Sequence, residues 1–198
     1  LISEIFSLVT LSKLIFEGKK CVGVKFSKHG KEKFIKAAKE VILSGGAVNS
    51  PHILQVSGIG PSDHLMNIGI NVVHHLPGVG ANLQDHYVAR VSHRVRHAKS
   101  INSLSRGTNL LKEIATWAFS GKGALTFGVT SAMVFSRSRE GLSSPDLQLL
   151  FTPASYSERT LGKLEQEDGM TVAVCPVRPA SRGTIMAVSS DPFVRPEI

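Results

Sequence analysis

The alternation of apolar and polar positions divides the chain into short strands at its start, two capped helices in its middle, and a second run of strands. Leu8 to Phe16 is rich in aliphatic and aromatic residues and predicts a strand, after which Gly18-Lys19-Lys20 turns the chain. Cys21 to Phe26 predicts a second strand, with Cys21, Gly23 and Lys25 on one face and Val22, Val24 and Phe26 on the other. Lys28-His29-Gly30-Lys31 has the composition of a hairpin turn with Gly30 at positive φ, and Phe34 to Lys39 is the expected return strand. Val41-Ile42-Leu43 breaks the alternation. Such a continuous apolar run predicts a strand buried on both faces, and it closes at Gly45-Gly46. Ser50 is then placed to cap a helix whose first residue is Pro51, since proline lacks only an N–H that would be unpaired there. Ile53, Leu54 and Val56 give that helix its apolar face, and Gly58 ends it. A second helix follows with Ser62 as cap, Leu65, Met66 and Ile68 inside, and Gly69 just past its end. A strand from Ile70 to His75 leads into a rigid turn, Pro77-Gly78-Val79-Gly80.

From about Val95 the texture changes. Thr108 caps an expected helix to Ser120, with Leu111, Ile114, Ala115 and Ala118 along one stripe and Gly121 at its end. Short β-like runs follow at Ala132–Ser136, Asp146–Phe151, Thr171–Val177 and Gly183–Ser189, separated by Pro, Gly, Ser and Asp. This pattern predicts a largely antiparallel sheet with one helix packed on it. Tyr156 to Gly169 is polar and is expected to be an exposed loop. The whole is therefore α/β (α+β overall), divided into residues 1–95 and 96–198.

Composition agrees with a folded chain. Of 198 residues, 42% are hydrophobic and 19% charged, which favours a core and excludes disorder. No apolar run approaches the ~20 residues of a membrane helix, and no signal peptide or lipidation motif is found; a cytoplasmic location is expected. Residue 1 is Leu, and both ends read as cut, as in an internal piece of a longer protein. Lys+Arg exceed Asp+Glu by 23 to 15, a net charge of +8, which raises nucleic-acid binding. The densest patch, Lys28, Lys31, Lys33, Lys36 and Lys39, has no interleaved aromatics of the kind that stack on single strands, so it is expected to be a solvated hairpin face. Cys21 and Cys175 lie far apart among apolar neighbours and read as buried free thiols.

Candidate chemistry concentrates between Ser44 and His86. A buried strand ending in two glycines lets another molecule approach the backbone closely. The helix beyond it offers free N–H groups and the positive end of its dipole to electron-rich atoms. The same arrangement also occurs as a mere tight connection, and geometry alone leaves both readings open.

The run Gly46-Ala47-Val48-Asn49-Ser50-Pro51-His52-Ile53-Leu54-Gln55-Val56-Ser57-Gly58-Ile59-Gly60 resembles the second signature of the glucose–methanol–choline oxidoreductases at every restricted position. Leu76-Pro77-Gly78-Val79-Gly80-Ala81-Asn82-Leu83-Gln84-Asp85-His86 is similar to the next landmark of that family. Weaker likenesses extend upstream to Lys13–Gly18 and Cys21–Val24, and downstream to Gly121–Leu125, Ser144–Gln148 and Ser181–Ile185. The flavour is nearest to bacterial choline- or alcohol-dehydrogenase-like members.

The resemblance implies part of a Rossmann-like FAD-binding domain over 1–95 and part of a substrate-binding domain over 96–198. It implies FAD as cofactor and oxidation of a small-molecule alcohol by hydride transfer to the flavin, with the electron acceptor unspecified. It carries over as cofactor-binding positions Leu11, whose main chain would contact the adenine, Ser44, Gly45 and Gly46 at the strand end, Ser50 and Pro51 at the helix start, and Asn82 and Asp85 of the Asn-Leu-Gln-Asp element. The family more often has Ala where Gly45 stands, and Asn82 also fits a plain turn residue. No catalytic residue is carried over: the family's base, a C-terminal His, and its N-terminal G-x-G-x-x-G fingerprint match nothing here, since Gly58-Ile59-Gly60 is followed by Pro61-Ser62-Asp63. An inactive remnant without stable FAD binding is the alternative. Eight histidines invite a metal reading, but His74 and His75 are adjacent on a strand and point to opposite faces, so no metal site is expected.

Overall fold

The computed structural model describes residues 10–157 and 162–198. They form two compact units: residues 10–84 with 181–198, and Asp85–Ala180. This partition differs from a cut near residue 95 because the strand after residue 88 pairs within the second unit, while the last eighteen residues return to the first.

In the first unit, β1 (Thr10–Glu17), β2 (Lys20–Lys28) and β3 (Lys31–Lys36) form an antiparallel meander; Leu8 and Val9 of the expected run lie outside the described residues. The β2–β3 turn has both central residues at positive φ, His29 at 52° and Gly30 at 73°, the geometry that matches the twist of a two-residue hairpin. A Cβ on Gly23 would come within 2.7 Å of the Phe34 ring and closer still to Ile35 O, so glycine lets that ring lie across the sheet. Leu14, Val22 and Phe26 are buried, whereas all of β3 is exposed, Lys31, Lys33 and Lys36 included. Among the described residues Lys25 and Glu32 form an ion pair of 2.7 Å across this hairpin. The return strand stops at Lys36, since Ala37 N–H to Val22 O is the last rung. Cys21 is only half-buried; Cys175, in the second unit, is buried, and both are unpaired.

Residues 41–43 correct the expectation of a doubly buried strand: they form none, and Ile42 is 80% exposed. A strand exists only through a neighbour's ladder, and none runs beside them among the described residues. α1 (Gly46–Val56) begins earlier than expected. The chain enters it through Gly46 at φ 81°, a conformation glycine tolerates and other residues resist. Pro51 is therefore inside the helix, and Ser50 is not its cap; the Ser50 hydroxyl instead accepts the Gly45 N–H at 3.0 Å. Gly58, at φ 91°, terminates the helix with its N–H on Gln55 O. After β4 (Ile59–Gly60), α2 (Ser62–Asn67) starts behind Pro61, so Ser62 is its first residue rather than its cap. Leu65 is fully buried but Met66 is exposed. The expected strand Ile70–His75 reduces to β5 (His74–His75), parallel to β4, because β4 offers only two residues to pair.

The core of this unit joins Val56, Leu65 and Ile70 to Ala187. The expected strand Gly183–Ser189 does not form. Its alternate residues bond to irregular partners instead: Leu83 and Gly183 exchange both backbone bonds at 2.9 Å, Ile185 N–H donates to Gly80 O at 2.7 Å, and Ala187 N–H donates to Gln55 Oε1 at 2.8 Å.

The second unit is built on one antiparallel sheet, in the order β6 (Ala89–Arg94), then β9 (Gly169–Pro176), β8 (Leu147–Thr152) and β7 (Ala132–Ser136). Three of these strands follow the expected runs; β6 and the short α3 (Ile101–Leu104) were not legible. α4 (Gly107–Ser120) ends at Gly121 with φ 64°, as expected. Its packing is corrected: no residue of α4 is buried, and the apolar stripe stands open, with Leu111 67% and Ile114 44% exposed. No described residue covers that stripe; the helix is tied instead by polar contacts, among them the Ala124 N–H donated to Glu113 Oε2 at 2.7 Å. Within the loop 156–169, residues 158–161 lie outside the described residues, and Glu165 backbone and Asp168 carboxylate are drawn into hydrogen bonds rather than left in solvent. Among the described residues no helix is long and apolar enough to cross a membrane.

Candidate cofactor-binding surface

An open pocket of about 490 Å³ lies within the first unit. One wall is α1, through Ala47, Ser50, Pro51 and Leu54, residues spaced three and four apart and so on one helical face. The other wall is the loop Gly78–Gln84, with Ile185 behind it. Two features shape the loop. Gly80, at φ 84°, sits against Ile185 O and Gln55 Nε2, so that a side chain there would have no room. Asn82 also takes a left-handed conformation, φ 62°, which asparagine adopts more readily than most residues. Gly78 faces open space, with nothing within 4 Å of a would-be Cβ.

The pocket lining carries no ionised side chain. Its electrostatics come from the backbone: α1 has no acidic residue in its first turn and no side-chain cap, so its amino end presents unpaired N–H groups and a positive dipole. A neutral cleft bounded by glycines and helix-end donors suits a large, electron-rich, partly anionic ligand approached through its backbone contacts.

Of the positions singled out from sequence, Ser50, Pro51 and Asn82 line this pocket. Ser44, Gly45 and Gly46 lead into the helix and are exposed beside it, with Gly45 tied to Ser50. Leu11 is half-buried on β1 and is not part of the lining. Asp85 belongs to the second unit, where its Oδ1 accepts the His86 N–H at 2.8 Å. Leu54, Gly80 and Ile185 went unmarked. The glycine-rich turn was the only local signal for Gly80, and nothing near Ile185 in sequence signals its place beside residues a hundred positions earlier.

The histidines divide by role. His75 Nδ1 accepts both the Ser62 hydroxyl, at 2.8 Å, and the Ser62 N–H. His86 donates from Nε2 to Val177 O at 3.0 Å, leaving Nδ1 facing the Cys175 thiol at 3.8 Å. Among the described residues no three His, Cys, Asp or Glu side chains are placed to share a metal ion. His52, on the inner face of α1, is buried and its Nε2 has no hydrogen-bond partner; the Ser12 hydroxyl on β1 is orphaned likewise.

Among the described residues three groups have displaced pKa values. Burial lowers the His52 pKa. The Ser138 hydroxyl and N–H hold the Asp146 carboxyl below its ordinary value. Burial pushes Asp168 up, but the N–H and hydroxyl groups of Ser100 and Ser103 together outweigh it and bring it down. For His52 the sign is definite. The unfolded chain takes up the proton first, so stability present above ~6.5 is lost as pH falls through that value towards the folded pKa. Urea midpoints measured across this range are expected to drop on acidification, and His52→Gln is expected to flatten the slope; equal slopes in both proteins would contradict the assignment.

The family model described as GMC oxidoreductase matches residues 3–88. The chain is 39% identical over 194 residues to the oxygen-dependent choline dehydrogenase of Staphylococcus saprophyticus, covering 98% of this chain and 34% of that protein. It is 38% identical over 194 residues to human mitochondrial choline dehydrogenase, covering 95% of this chain and 32% of that protein. Among solved structures, Aspergillus oryzae formate oxidase superposes with a TM-score of 0.80 at 26% identity, over 96% of this chain and 38% of that one. The chain thus spans about a third of the length of the curated relatives it matches.

Proposed function

The chain belongs to the glucose–methanol–choline oxidoreductase family, and from that premise we propose that it supplies one wall of the FAD site, and part of the substrate domain, of a cytoplasmic enzyme that oxidises the CH–OH group of a small alcohol. The observation that carries this reading is the neutral, glycine-bounded pocket between α1 and Gly78–Gln84, whose lining, Ile185 apart, falls inside the segment that the family model matches. Ser50, Pro51 and Asn82 would touch the cofactor, Ser44, Gly45 and Gly46 would flank it, the Leu11 main chain would meet the adenine, and Asp85 would close the Asn-Leu-Gln-Asp element. FAD supplies the hydride acceptor. The residues of this chain bind and orient it and keep water from one side; none of them is assigned the alcohol's proton. Residues 10–84 with 181–198 then correspond to part of the FAD-binding domain, and Asp85–Ala180 to part of the substrate domain, in place of a division at residue 95.

Spectrophotometry tests the reading. The protein extended by its flanking coding sequence is expected to purify with flavin absorbance, and Gly46→Val to lower flavin occupancy at least ~10-fold with circular dichroism unchanged, because a β-branched residue resists φ 81°. The 198-residue chain alone is expected to purify colourless, since no pyrophosphate-binding G-x-G-x-x-G turn occurs in it. An extended protein that binds no flavin would sink the proposal.

A further inference from the structure

The second unit holds a larger cavity, of about 880 Å³, on one face of its sheet. Strand register explains its floor. Arg90, Ser92 and Arg94 alternate along β6 and share a face. Ser92 stands opposite Thr171, which stands opposite Thr152, so three hydroxyl residues form a row across β6, β9 and β8. The neighbouring row is Arg90, Ala173 and Leu150, in which the small Ala173 leaves the arginine space.

The hydrogen bonds show which floor groups are spent. Thr171 donates its hydroxyl to Ala154 O at 2.7 Å, so at 2.9 Å it is Ser92 that donates to Thr171. Arg94 is paired with Glu167. Arg90 forms no ion pair among the described residues. Among the described residues no carboxylate stands on the floor, the acidic residue of the lining is Glu165, and its rings are Tyr156 and the His93 imidazole. A quaternary ammonium is held by a cage of aromatic faces, which this cavity lacks, and it would meet the Arg90 cation. A carboxylate finds in Arg90 a planar fork of donors matched to its two oxygens.

We propose that this cavity binds a hydroxy acid, with Arg90 gripping the carboxylate and the Ser92–Thr171–Thr152 row facing the hydroxyl end. The proposal names a substrate class for the oxidoreductase proposed above and rests on that reading for the reaction, though not for the binding. The choline of the relatives' names would then be a poor ligand.

Titration of the ¹⁵N-labelled 198-residue chain with L-lactate, and separately with choline, tests this without flavin. Lactate is expected to shift the Ser92 and Thr171 amides saturably, Arg90→Gln to weaken its binding at least ~10-fold, and Arg90→Lys to weaken it less, because a point charge replaces the fork. Arg90 is exposed on an outer strand, so both variants are expected to keep the wild-type amide dispersion. Saturable choline shifts at the same amides, or lactate binding within twofold of wild type in Arg90→Gln, would overturn the proposal. Absence of flavin in the extended protein would defeat the enzyme reading and leave this result standing.

Discussion

Gly80→Ala is expected to cost the first unit ~3 kcal/mol or more, as backbone strain and a broken buried hydrogen bond combine. The new Cβ would be driven into Ile185 O and Gln55 Nε2, which are bonded to each other at 2.8 Å. Gln55 is fully buried and spans the return segment, taking Ile185 O on one side and Ala187 N–H on the other. Opening that clamp strands polar groups away from water, and Ala187 leaves the core it shares with Val56, Leu65 and Ile70. The φ of 84° adds strain of its own for any residue with a Cβ. The control is Gly78→Ala two residues earlier, where a Cβ meets nothing and the change is expected to stay within ~0.5 kcal/mol. Urea denaturation of both variants checks this; equal midpoints would refute it.

Asn102→Leu is expected to destabilise the second unit by ~3–5 kcal/mol, since Ser155 N–H and Glu165 O lose their side-chain partner and the bonds to Ser155 O and the Ser100 hydroxyl go with it. Asn102 is fully buried in α3. Its Nδ2 donates to Ser155 O at 2.9 Å and Glu165 O at 3.1 Å, and its Oδ1 accepts Ser155 N–H and the Ser100 hydroxyl, both at 3.0 Å. Leucine keeps the branching at Cγ but puts methyl groups where the amide bonds at 2.9–3.1 Å, so lost hydrogen bonds and crowding act together. The Ser100 hydroxyl also reaches Asp168 Oδ1 at 2.8 Å, linking α3 to the turn before β9. Loss of near-ultraviolet circular dichroism at lower urea is the readout, and a shift below ~1 kcal/mol would show that water replaces the amide.

Local pattern made much of this legible. Period-two alternation located β1, β2, β7, β8 and β9, and His29-Gly30 marked a hairpin whose backbone only such residues adopt easily. The strand ends and helix starts were less readable, because they depend on partners. Val41-Ile42-Leu43 has the composition of a buried strand, yet composition cannot supply a neighbour. Thr108 to Ser120 has the spacing of a packed helix, yet α4 buries none of its residues. β6 is weakly marked in the sequence because Ala89 and Val91 are its only apolar residues. At the candidate cofactor surface, Ser50, Pro51 and Asn82 were found from a contiguous motif. Ile185 and Gln55 were not, since the bond joining them crosses 130 positions of sequence.

The paired backbone bonds between Leu83 and Gly183 have a consequence for how such a protein can change over time. They bring together, within the first unit, the two points at which the Asp85–Ala180 stretch leaves it and returns to it. A stretch whose two exits lie this close together can be lengthened, shortened or exchanged while the Leu83–Gly183 bonds stay as they are.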